Sequence, residues 1–190
     1  MRRKIGMIVS VVLATVAIAA VAADGPVTVT RLTKPEKALK FEVVVPAPLD
    51  QVWTAFTTKG GLETWLWKEV RVDPKPGGDW IVVFPGSTGG GTILSLKPKK
   101  QIVISALAPE KFPTVRKERT RATFDFATVA PASTKVTLLQ TGWKSGDEWD
   151  AAYDYLADGN AQLLMQLHQR FASGPLAWPK GPAATRPAGR

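Results

Sequence analysis

Ser145-Gly-Asp-Glu148-Trp149-Asp-Ala-Ala152-Tyr153-Asp-Tyr-Leu156-Ala-Asp-Gly-Asn-Ala-Gln-Leu163-Leu164-Met-Gln-Leu167-His168-Gln-Arg-Phe171 is the stretch on which the fold turns. Trp149, Ala152, Tyr153, Leu156, Leu163, Leu164, Leu167 and Phe171 recur at helical spacing and form one apolar face. Ser145 followed three residues later by Glu148 has capping-box spacing, and Gly174-Pro175 supplies a stop. The spacing predicts one long amphipathic helix running to about Ala172. Its apolar face needs a cover, and the rest of the chain reads as a sheet able to supply it.

Upstream, Leu39, Phe41, Val43 and Val45 alternate with Lys40, Glu42 and Val44, the pattern of a strand with one apolar face. Pro46-Ala47-Pro48 stops it. Pro48 and Asp50 suit a helix start, Val52, Trp53 and Phe56 give that helix an inward face, and Lys59-Gly60-Gly61 reads as its end. Leu62 to Trp67 follows as a short second helix or turn. Strands are then expected at Val70–Val72, around Trp80, Val82 and Phe84, over Thr92–Leu96, and over Ile102–Leu107. Pro85 to Gly91 reads as a hairpin and a mobile rim, and Ala108 to Arg116 as irregular chain. Two longer strands carry Phe124 and Phe126, then Val136, Leu138 and Gln140, on their inward faces. Strand, two helices, antiparallel strands and a long helix make an α+β order: a curved antiparallel sheet wrapped around a C-terminal helix.

Several segments carry a resemblance. They are Pro48-Leu-Asp-Gln-Val52-Trp53-Thr-Ala-Phe56, Leu62-Glu-Thr-Trp65, Pro76-Gly77-Gly78 before Trp80, Thr123-Phe124-Asp125-Phe126, and Gly142-Trp143-Lys144 before Trp149 and Tyr153. Gly174-Pro175-Leu-Ala-Trp178 trails them. In order and spacing the chain from Ala38 to Trp178 resembles the SRPBCC (START-like) superfamily, and within it the domain related to the activator of the heat-shock-protein-90 ATPase. The resemblance implies a helix-grip fold with a cavity between the long helix and the sheet. Relatives bind lipids, sterols or polyketides there, and some cyclise or hydroxylate them. The eukaryotic namesake stimulates a cytosolic chaperone.

The other end of the chain reads as an address. Met1-Arg2-Arg3-Lys4 is basic, Ile5 to Ala19 is apolar, and Ala20-Val21-Ala22-Ala23 places small residues ahead of Asp24-Gly25-Pro26. That is the three-part order of a secretory signal peptide, with cleavage after Ala22 or Ala23. A retained anchor is the alternative, since the apolar run approaches the ~20 residues a spanning helix needs. The absence of cysteine from the chain excludes a lipid-modified N-terminus and leaves no disulfides. The expected organisation is a signal peptide over residues 1–23, an extension over 24–37, the START-like domain over 38–173, and a disordered basic Pro/Gly/Ala tail over 174–190.

The net charge of +9 falls by three when Arg2, Arg3 and Lys4 are removed, and part of the remainder lies in the tail. No element carries an Arg/Lys stripe interleaved with aromatics, so nucleic acid is not an expected partner. An anionic membrane surface suits the charge better. The sequence leaves any protein partner open.

Candidate chemistry is sparse. His168, the sole histidine, lies at the edge of the apolar face and is the one weak catalytic candidate, as a general base. A lone histidine without cysteine makes a zinc site improbable, and no Gly-x-Ser-x-Gly elbow surrounds a serine. Asp147, Glu148, Asp150 and Asp154 match no calcium loop and read as acids at a helix start. No metal or cofactor is expected. Seven Trp and seven Phe are more than a small core needs. Trp53, Trp65, Trp80, Phe124, Tyr153 and Leu156 are the residues expected to line an apolar cavity. The expected function is an exported module binding an apolar small molecule or lipid, with no evident catalysis. A polyketide-cyclase-like enzyme and a chaperone-activator-like interaction module are the alternatives.

Overall fold

In the computed structural model, which describes residues 20–21 and 26–178, nine antiparallel strands form one sheet in the order β1-β2-β3-β9-β8-β7-β6-β5-β4. The strands are β1 (Ala20–Val21), β2 (Val27–Leu32), β3 (Ala38–Val45), β4 (Val70–Val72), β5 (Asp79–Phe84), β6 (Ser87–Lys97), β7 (Gln101–Ala106), β8 (Thr120–Ala130) and β9 (Ser133–Thr141). The helices are α1 (Leu49–Thr57), α2 (Lys59–Glu63), α3 (Pro113–Glu118) and the long α4 (Asp147–Ser173). This is the helix-grip α+β architecture: a broad antiparallel sheet holding one C-terminal helix.

From β4 to β9 every strand pairs with its sequence neighbour. The exception that gathers the sheet is β3, which pairs with β9 across most of the chain, Leu39 opposite Gln140 and Val43 opposite Val136. Alternation places Leu39, Phe41, Val43 and Val45 on the helix side, none more than 1 % exposed, with Val136 and Leu138 beside them. Phe56 stands at the centre of the aromatic packing. It lies 4.8 Å from Trp65, 5.3 Å from Phe124 and 4.9 Å from Phe126, centroid to centroid. Edge and tilted pairs of this kind add ~0.5–1.5 kcal/mol each beyond area burial.

Several local expectations are corrected. The segment 24–37, read as an extension, contains β2, whose Val27-Thr-Val-Thr-Arg-Leu32 pairs residue for residue with β3. The domain therefore begins before Ala38. Lys59-Gly60-Gly61 does not end α1; it opens α2, because the Thr58 hydroxyl accepts the Gly61 N–H at 3.0 Å and caps the new helix. The Gly-rich hairpin is shorter than expected, with a turn of only Pro85 and Gly86 and with β6 starting at Ser87. The irregular stretch after β7 contains α3. Ser145 forms no capping box: α4 starts after Gly146 with no side-chain cap.

The acids near the start of α4 are tertiary partners instead. Asp150 pairs with Lys37 at 2.5 Å and Asp154 with Arg31 at 2.5 Å, binding the helix to β2 and to the chain that follows it. The tail is also anchored at its start. Leu176 N–H donates to Thr64 O at 2.9 Å, and the Trp178 ring lies 5.1 Å from Trp67. The signal-peptide expectation falls on residues 1–23, of which only Ala20 and Val21 are described, and the tail beyond Trp178 also lies outside the described residues.

Candidate functional site

Helix α4 packs on β3 and β2 and stands away from the other half of the sheet. The space left beneath it is a cavity of about 430 Å³. Its floor is built from inward positions of β5, β7, β8 and β9: Trp80 and Val82, Ile104 and Ala106, Ala122 and Phe124, Leu138 and Gln140. Its roof is Leu156, Gly159, Asn160 and Leu163, spaced to share one side of α4. The mouth lies among Phe84, Ser87, Thr88, Pro109 and Tyr155.

The glycines of β6 help make the space. Gly89 and Gly90 line the cavity, Gly90 at a φ of +84° where a Cβ would sit 2.0 Å from the Trp80 carbonyl oxygen. A Cβ on Gly89 would stand 3.2 Å from Val82 Cγ1 and 3.7 Å from the Phe84 ring, both on the cavity wall. Gly91 answers a different need, since its Cβ would sit 2.0 Å from the Ser105 carbonyl oxygen of the neighbouring strand.

The polar groups sit at two places. On the wall, Gln140 is 3 % exposed and bonded through both its amide nitrogen and its amide oxygen. Its Nε2 donates to Thr120 Oγ1 at 2.8 Å, and its Oε1 accepts from Asn160 Nδ2 at 2.7 Å. At the mouth, Glu110 accepts from the Ser87 hydroxyl and from the Thr88 N–H at 3.0 Å. Arg116 closes the cluster, 2.9 Å from Glu110, donating to Thr88 O at 3.0 Å and Ala108 O at 2.5 Å. These bonds, led by that from Ser87, hold the Glu110 carboxyl down at about 2. The rim expected to be mobile is thus clamped to the chain between β7 and α3.

Of the residues expected to line a cavity, Trp80, Phe124 and Leu156 do so. Trp65 does not: it is fully buried beside Phe56, and its Nε1 donates to Ala55 O at 3.0 Å. Trp53 packs edge-on against Phe126, 5.4 Å away on the α1 side. Tyr153 faces β3, where its hydroxyl donates to Ala38 O at 3.0 Å and the Lys37 ammonium lies 4.5 Å from its ring centre. Burial raises the Tyr153 phenol above its ordinary value. His168 lies outside the cavity lining, with Nδ1 2.9 Å from the Val44 carbonyl oxygen. Sequence reading missed Gln140 and Asn160 as site residues, although each is a polar residue on a face otherwise filled by apolar ones.

A family model, that of activator of Hsp90 ATPase homolog 1-like proteins, matches residues 46–172. The chain belongs to this family. The resemblance to the SRPBCC superfamily is borne out with it. No curated protein sequence matches the chain. Among solved structures, the family fold recurs in the Aha1 dimer from Colwellia psychrerythraea, at 19% identity and a TM-score of 0.60, covering 72% of this chain and 97% of that one. A protein from Mesorhizobium loti matches at 21% identity and a TM-score of 0.61, covering 73% of this chain and 99% of its own. CalU16 from Micromonospora echinospora matches at 18% identity and a TM-score of 0.57, covering 85% and 87%. At these identities the likeness is one of fold, and the cavity's chemistry has to be read from this chain's own residues.

Proposed function

We propose that the domain is a binding module that takes an apolar small molecule, such as a lipid, into the cavity beneath α4. The observation that carries this reading is the cavity's lining. Apolar side chains dominate it, a few convergent polar groups interrupt it, and its volume falls in the ~300–1,000 Å³ range of small-molecule sites. Acid–base catalysis on a bound substrate has less support. None of the lining residues is Asp, Glu, His, Lys or Arg, and His168 faces the Val44 carbonyl instead.

Native mass spectrometry of the protein purified from its own host tests the reading. A co-purifying small molecule, displaced by members of a lipid panel, is the expected result. Repeated recovery of ligand-free protein that binds nothing in the panel would sink it.

Delivery outside the cytoplasm is part of the same proposal, supported by the basic, apolar and small-residue order of residues 1–23. Cleavage after Ala22 or Ala23 would remove β1 and leave β2 at the sheet edge. N-terminal sequencing of the protein from its host checks it, and an intact Met1 would count against export by cleavage. There the positive charge of the chain would favour an anionic membrane surface as a source of ligand.

A further inference from the structure

Away from the mouth, the polar groups of the cavity wall are the neutral amides of Gln140 and Asn160. Asn160 uses one amide hydrogen on Gln140, and its carbonyl oxygen and second N–H have no hydrogen-bond partner among the described residues. Asn160 lines the cavity, so these two groups are available at its wall. Behind it, Gln140 is held from both sides, by Thr120 at 2.8 Å and by Asn160 itself at 2.7 Å. The Asn160 amide is therefore held from α4 against a central strand, β9, rather than left as a free rotamer. One amide carbonyl and one amide N–H side by side match a group that both donates and accepts, or a lone acceptor: a hydroxyl or a carbonyl.

Charge decides the rest. No lining residue carries a charge, so an ionised carboxylate or ammonium entering the cavity loses its hydration and gains no counter-ion. At the mouth, Glu110 and Arg116 satisfy one another at 2.9 Å, and the Lys111 ammonium lies over the Tyr155 ring, 3.4 Å from its centroid, on the outer side of the cavity from Asn160. Resting on the cavity-binding reading above, we infer that the ligand is an uncharged molecule with an apolar body and a hydroxyl or carbonyl group, which Asn160 receives. A molecule that has to carry a carboxylate to the Asn160 end is disfavoured by the same geometry.

Three probes sharing one apolar body test this by calorimetry at neutral pH: 2-methylnaphthalene, 2-naphthol and 2-naphthoate. The wild-type protein is expected to bind 2-naphthol at least about ten-fold more tightly than 2-naphthoate. In Asn160→Leu the preference for 2-naphthol over 2-methylnaphthalene is expected to fall roughly ten-fold while 2-methylnaphthalene still binds. Equal binding of naphthol and naphthoate, or a preference unchanged in Asn160→Leu, overturns the inference and leaves cavity binding standing. If none of the three binds the wild-type protein, the cavity reading and the inference fall together. The wild-type comparison decides the matter even if the variant does not fold, because it requires no substitution.

Discussion

Glu148, in the first turn of α4, accepts the backbone N–H of Val115 at 3.0 Å through the same carboxylate oxygen that accepts Thr114 N–H at 2.7 Å. It caps α3, a helix more than thirty residues earlier in the chain, rather than its own. Partial desolvation works to raise the Glu148 carboxyl, and the bonds from Val115 and Thr114 outweigh it, leaving the carboxyl below its ordinary value. The bond reaches the cavity because α3 carries Arg116, which clamps its mouth.

Replacing Glu148 with Ala is therefore expected to loosen α3 before it unfolds the domain. Hydrogen exchange at Thr114 and Val115 should quicken strongly, with a smaller change at the amides of β9. Uniform acceleration through the sheet, or none at α3, would contradict the capping role.

Acid should open the mouth. The Glu110 carboxyl is depressed from 4.5 to about 2 in the folded protein, so its contribution is complete above 4.5 and is lost as pH falls toward 2. Exchange protection at Ser87 and Thr88 is expected to decline through that window. Glu110→Gln should start with lower protection and lose the pH dependence. Because Glu110 is largely exposed, the effect belongs to the rim, with little change in global stability.

Filling the cavity should separate binding from folding. Leu156→Trp adds a large ring to the roof, where Leu156 is half-buried and borders empty space. Retained cooperative unfolding with loss of probe binding is the expected outcome in a paired calorimetric and thermal-melt measurement. Undiminished binding would place the ligand elsewhere.

Trp65 lies outside the cavity and serves the core. Trp65→Ala removes a fully buried ring and its bond to Ala55 O, and is expected to cost about 3–5 kcal/mol in denaturant unfolding. A cost under ~1 kcal/mol would show that the Phe56–Trp65 packing is not structural.

Trp178 should behave as a tether. Its Nε1 donates to Glu63 O at 2.5 Å and its ring packs on Trp67, which in turn lies 5.4 Å from Phe84 at the cavity mouth. Trp178→Ala is expected to cost roughly 1–3 kcal/mol and to shift the fluorescence of Trp67 toward that of exposed indole. An unchanged melting temperature would refute the tether.

The long helix, the alternating strands and the aromatic character of the interior were legible because each depends on a local period. β2 has the same signal in Val27-Thr28-Val29-Thr30, and went unread because it lies so close to the N-terminal apolar segment. The site was less legible. Trp65 and Tyr153 fit an aromatic cavity wall as well as Trp80 does; all three donate to a backbone carbonyl, of Ala55, Ala38 and Phe56 in turn, and Trp80 alone borders the cavity. Gln140 and Asn160 are twenty residues apart and meet only because β9 passes beneath the second half of α4.

The sequence by itself determined the α+β order of elements, since hydrophobic period and turn chemistry are properties of neighbouring residues, and its motifs carried the resemblance to the family. Tertiary structure alone decided where the helix leaves the sheet, and therefore which inward residues face a void and which face each other. Glu148 shows the same division: its position in the chain made it an acid at a helix start, and packing decided which helix it caps. The reason is physical. A cavity, and a bond across it, are differences in distance between elements, and no local pattern encodes a distance between residues that the chain brings together only on folding.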